Sequence, residues 1–162
     1  MNRRRRALAA LLMVGALALA GCTSQKEKPM QVKTQAQAET LVRGHADAVA
    51  AMLGVKAADH ETGVKPSPCQ GKGGEVAKDG RFYMQGNYQL PLPAGEHPRV
   101  LAALRDQWQR DGYQIKEFRM FNETEGTVAA ESPADEVQIS AESTRPATAL
   151  AVLILTPCYL PS

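Results

Sequence analysis

The sequence predicts an α+β fold: a two-layer sandwich in which an antiparallel sheet of about five strands carries two helices on one face. Three observations point to it. Two stretches repeat apolar residues at the helical period, five others alternate or run apolar over strand length, and short turn-rich links join the last four strands. Such links force antiparallel neighbours, and two amphipathic helices can cover only one side of the resulting sheet.

In chain order, the first element is a targeting segment rather than a fold element. Arg3 to Arg6 are consecutive arginines, and Ala7 to Ala20 is apolar throughout. A positive start followed by an apolar run holds the N-terminus inside during export. As a helix the apolar run would reach roughly 21 Å, short of the ~30 Å hydrocarbon core, so it reads as a cleaved signal rather than a membrane span. Leu19-Ala20-Gly21 then places small residues immediately before Cys22. Small residues let the extended chain enter a tight protease groove, and the cysteine thiol is the group that receives a diacylglyceryl anchor. The usual polar residue before an arginine pair is missing, which favours the general export route over the twin-arginine one. Residues 1–21 are therefore the expected signal peptide and Cys22 the expected lipidation site. Residues 22–33, polar and without a hydrophobic period, are the expected tether, and 34–162 a single extracytoplasmic domain.

Thr34 and Gln37 have capping-box spacing at the start of the first helix, and Gly54 suits its end. Leu41, Val42, His45, Val49, Met52 and Leu53 share one stripe. His45 is thus the histidine of interest. The plain expectation is a packed ring bonded to a backbone carbonyl, and a ligand-binding or pH-sensing role is the alternative. Lys56 to Gly80 reads as loop. Within it, Asp59-His60-Glu61 reads as a solvated turn, because adjacent residues rarely converge on one ion. Gly71-Lys72-Gly73-Gly74 lacks phosphate-loop spacing and is followed by Glu75 where a hydroxyl would be needed.

Arg81 to Leu90 alternates: Phe82, Met84, Tyr88 and Leu90 point inward, and Tyr83, Gln85, Asn87 and Gln89 outward. Gly86, on the inner side, implies a bulge or a close helix approach. Pro98 suits the first turn of a second helix with His97 at its boundary. Val100, Leu101, Leu104 and Trp108 form its buried face, and Gly112 stops it. The remainder is a strand meander. A bulge is expected between Ile115 and Phe118, turns at Asn122–Gly126, Ser132–Asp135 and Arg145-Pro146, and alternation at Val137, Ile139 and Ala141. Ala149 to Leu155 is apolar on both faces, as in a central strand covered on both sides or buried in an interface.

Removing 1–21 takes away four arginines and no acid, which turns the formal charge from +2 to −2. A slightly acidic domain without a basic block argues against nucleic acid as partner, and leaves membrane attachment to the lipid. Cys69 and Cys158 remain. In an oxidising compartment the expectation is one bridge, whose loop of about ninety residues stabilises by roughly 4–5 kcal/mol in the chain-entropy model. The alternatives are a catalytic cysteine or a metal pair, for which no CxxC partner or catalytic motif is present.

The lipobox, the Trp108 helix running into Gly112-Tyr113 and the closing Thr156-Pro157-Cys158-Tyr159 give the whole mature chain its likeness. It resembles the small cell-envelope lipoproteins of high-GC Gram-positive, actinobacterial-type bacteria. The resemblance implies a diacylglyceryl- and palmitate-bearing cysteine at Cys22 and a cell-membrane location on the extracytoplasmic side. It carries over no catalytic residue. There is no G-x-S-x-G, H-E-x-x-H or Cys–His motif, so the expectation is a non-enzyme with no metal and no cofactor. The leading function is a membrane-anchored interaction module contacting an envelope protein or the cell wall. The alternative is a binding protein for a small or lipidic ligand held between helices and sheet, His45 included. A core filled by Phe82, Leu104 and Trp108 would count against that alternative.

Overall fold

The computed structural model describes residues 29–162, apart from the side chains of 58–62. The expected signal peptide, the lipidation site Cys22 and the tether up to Lys28 lie outside the described residues, as do the side chains of Asp59-His60-Glu61. The chain runs β1 (Val32–Lys33), α1 (Gln35–Leu53), β2 (Ala58–Pro68), β3 (Phe82–Pro91), a 3-10 turn (Ala94–Glu96) and α2 (His97–Arg110). It continues with β4 (Gln114–Met120), β5 (Gly126–Glu131), β6 (Gln138–Ser143), β7 (Ala149–Leu155) and β8 (Leu160–Pro161). Six strands form an antiparallel sheet in the order β2-β3-β7-β6-β5-β4, and β1 and β8 form a small parallel pair. Both helices pack on the same side of the sheet, α1 over β2, β3 and β7, α2 over β4 and β5. This is the expected α+β two-layer sandwich with one strand more.

The extra strand is β2, which lies in the stretch expected to be loop. It pairs with β3 from Ala58↔Gln89 to Pro68↔Phe82, with a register break between Asp59 and Val64. Asp59 is therefore strand backbone, not the solvated turn expected there. Pro66 and Pro68 disguise the strand, yet they are tolerated because β2 is an edge strand and needs its N–H groups on one side only. The tether also ends earlier than expected. Val32–Lys33 joins β8, and the Leu160 N–H donates to the Gln31 carbonyl at 3.0 Å.

Helix α1 starts as its sequence dictates. The Thr34 hydroxyl accepts from the Gln37 N–H at 3.0 Å, and the Gln37 side chain accepts from the Thr34 N–H at 2.9 Å. It ends on Gly54 at φ 69°, the left-handed conformation glycine adopts without a Cβ penalty. The buried seam is Ala38, Val42, Ala46, Val49 and Ala50, rotated from the expected stripe, so that Met52 is 43% exposed. The alanines let α1 come close to β3. A Cβ on Gly86 would lie 2.4 Å from Val42 Cγ1, so Gly86 serves a close helix approach and not a bulge.

Helix α2 turns Val100, Leu101, Leu104 and Trp108 to the sheet. Gly112, at φ 80°, reverses the chain so that the Tyr113 N–H donates to the Trp108 carbonyl at 2.8 Å. The two rings then stack with centroids 6.3 Å apart. Phe82, Leu104 and Trp108 are all buried between the layers. The bulge in β4 falls between Ile115 and Glu117, inside the stretch where the alternation breaks.

Candidate functional site

Cys69 and Cys158 are joined by a disulfide across a separation of 89 residues, with Cα atoms 6.2 Å apart. It ties the start of the Gly71–Gly74 loop to the chain just beyond β7. In that loop the Glu75 carboxylate accepts from the Gly73 N–H at 3.0 Å, and it lies where a Cβ on Gly71 would clash. The loop amide that could meet a phosphate is already bonded to the protein's own acid.

The histidines exchange the roles expected of them. His97, expected only as a boundary residue, is fully buried. Its Nδ1 lies 2.8 Å from Ser143 Oγ and its Nε2 2.9 Å from the Leu92 carbonyl. That is the packed, carbonyl-bonded histidine. His45 instead meets a carboxylate, with Nε2 2.9 Å from Asp135 Oδ2. Asp135 sits in the β5–β6 turn, 90 residues along the chain, and this pairing clasps α1 to the turn. Burial pushes the Asp135 carboxyl upward. Hydrogen bonds from Ser132, His45 and the Val137 N–H, together with the His45 charge, outweigh that and hold it below the ordinary value of 3.8. Tyr113, edge-on to His45 at 6.5 Å, has its phenol pushed up, chiefly by burial. Ser132 is buried and bonded to the carboxylate, so Asp135 joins Ser132 and His45 in one clasp.

The larger feature is the sheet face turned away from the helices. Residues in register across four strands form rows on it. One row is Gln85, Leu155, Gln138 and Glu131; the next is Asn87, Leu153, Ser140 and Ala129. Gln89, Ala151 and Glu142 begin a third. β7 is thus covered by helices on one side only, and Leu153 and Leu155 lie half-buried on the other. The side chains of Gln85, Asn87, Gln138 and Ser140 make no protein hydrogen bond among the described residues. Amides left with open donors and acceptors can still pair with an incoming group.

At the disulfide end this face deepens into a groove of about 600 Å³. Tyr83 from β3, Leu155 from β7, Gln138 from β6 and Glu131 from β5 reach it, with Gln70 and Glu136 at its sides. Glu131 is held by Lys116 at 3.1 Å. Thr156 is engaged on both sides, accepting from the Met84 N–H and donating to the Pro157 carbonyl, each at 2.9 Å. What the groove offers is an aromatic ring, apolar patches and hydrogen-bonding amides and carboxylates. Among the described residues no cluster of three or more His, Cys, Asp or Glu side chains could hold a metal. Also among them, no helix is long and apolar enough to cross a membrane.

Neither any family model nor any curated protein or solved structure matches the chain. The site therefore rests on its own geometry.

Proposed function

We propose that this chain is a lipid-anchored module of the cell envelope that meets a partner, an envelope protein or a cell-wall component, through the uncovered face of its sheet. The observation that carries this is the asymmetry of the sheet. One face is closed by α1, α2 and the buried Phe82, Leu104 and Trp108, while the opposite face presents free amides around Leu153 and Leu155. Half-buried leucines among uncommitted polar groups suit association, since they offer apolar contact area and hydrogen bonds together.

The anchor rests on the sequence: Arg3 to Arg6, the short apolar run and Leu19-Ala20-Gly21-Cys22. The Cys69–Cys158 disulfide agrees with an oxidising compartment outside the cytoplasm. A ligand held between helices and sheet is disfavoured by the filled space between the layers.

Two measurements test the proposal. Mass spectrometry of protein extracted from its membrane should give a chain lacking 1–21 and bearing diacylglyceryl on Cys22. An intact signal segment would remove the anchor. A photo-crosslinking residue at Asn87 should capture a partner in intact cells that the same residue at Gln109, on the solvent side of α2, does not. Equal capture from both positions would remove the open face as the interaction surface.

A further inference from the structure

The groove at the disulfide end has a chemistry more specific than a generic contact surface. We propose that it binds a neutral, N-acetylated sugar chain, with one sugar ring lying against Tyr83. The inference rests on the open-face reading above and names the partner's chemistry.

Four observations support it. First, the floor pairs an aromatic ring with an aliphatic side chain, Tyr83 and Leu155. A flat C–H face of a pyranose packs on such a floor, while its edge needs hydrogen bonds. Second, those bonds are available. Gln70 and Gln138 each carry a donor and an acceptor, as an acetamido group requires, and Glu131, held by Lys116 through one oxygen, can accept from a hydroxyl through the other. Third, no lysine or arginine lines the groove itself, and Lys116 beside it is already paired with Glu131 at 3.1 Å, so the groove offers a phosphate or carboxylate ligand no uncommitted counter-charge. Fourth, the groove continues. It shares Gln138 and Leu155 with a smaller trough of about 210 Å³ over Ala129, Ser140 and Leu153, with Lys116 also lining it. Ala129 of β5 and Ser140 of β6, in register with Leu153 of β7, make that trough, and a chain fits it better than an isolated small molecule. The groove itself falls within the roughly 300–1,000 Å³ range of small-molecule sites.

Glu136 adds a fifth argument from the backbone. It holds φ 60°, in the left-handed region that a non-glycine residue enters at a cost. Its neighbour Asp135 is fixed inward by His45, and the reversal at Glu136 places this residue at the groove instead.

The test uses the full-length protein in a zwitterionic detergent without sugar head groups, titrated with tetra-N-acetylchitotetraose and followed by amide NMR. Saturable shifts at Tyr83, Gln138, Ser140 and Leu155 are expected. Tyr83→Ala, which leaves the buried Phe82 and Met84 in place, should weaken binding about tenfold, the worth of a lost aromatic stack. Gln138→Ala serves as an independent variant. No saturable response at about 10 mM sugar, or binding unchanged in both Tyr83→Ala and Gln138→Ala, would overturn the proposal. So would saturable binding of spermidine in the same groove without sugar binding, which would make it an amine site. Failure here together with crosslinking from Asn87 to an envelope protein removes the sugar and leaves the interaction module. Failure of both removes the open face altogether.

Discussion

The two faces of the six-stranded sheet are built from the same strands, and they differ in what their side chains have already found. On the helix side Phe82, Met84, Tyr88 and Leu90 of β3, the strand that α1 covers, are buried, with Val152 and Ile154 of β7 beside them. One residue along, Tyr83, Gln85, Asn87, Leu153 and Leu155 face away from the helices. The first set stabilises the fold. The second set has little to do within it, and residues a fold does not use are the ones available to a partner. Stability and recognition are thus divided by the period-two alternation of the strands themselves.

Truncating one leucine on each face is the strongest test of that division. Leu104→Ala should cost about 2–5 kcal/mol, as for a fully buried leucine that leaves a cavity, whereas Leu153→Ala should cost less than about 1 kcal/mol. Urea unfolding of both variants measures this, and comparable losses would show that the open face is part of the core. The histidines sharpen the contrast. His97→Ala leaves the Ser143 hydroxyl and the Leu92 carbonyl without that buried partner and should cost roughly 1–3 kcal/mol. His45→Ala removes one bond at a partly exposed site and should cost about 1 kcal/mol or less.

Glycines probe the same boundary on α1. Gly86→Ala drives a Cβ into Val42 and should destabilise by about 1–3 kcal/mol. Gly44→Ala, where nothing stands within 4 Å, should stabilise by up to about 1 kcal/mol through helix propensity. The smallest effect is the pH dependence of the clasp. The folded-state pKa of Asp135 lies below its unfolded value, so its contribution is fully present above about pH 4 and is lost as pH falls through the folded value. Asp135→Asn should remove that part of the acid dependence, and unfolding curves between pH 2 and 5 would reveal it.

Much of this architecture was legible locally. The capping box at Thr34 and Gln37, the left-handed Gly54 and Gly112, the alternation of β3 and the bulge in β4 are encoded within a few residues of where they act. What escaped depends on distance in sequence. β2 is a strand because β3 supplies its partner, and its prolines conceal it. His97 found Ser143 46 positions away, and His45 found Asp135 90 positions away. Neither pairing has a periodic signature. The amides at Tyr83–Gln89 were visible as an outward face, but the groove was not, because Tyr83, Glu131, Glu136 and Gln138 come together only through strand order. The doubly apolar β7 pointed to a surface needing cover, and among the described residues its second side has none.

The central claim is that the open face is where this protein meets its surroundings. Hydroxyl-radical footprinting in the intact native envelope, compared with the purified protein, tests it directly. Protection of Tyr83, Leu153 and Leu155 in the envelope, with Met52 on the helix side unchanged, is the predicted result. Protection of Met52 with the open-face residues reacting equally in both samples would contradict the account.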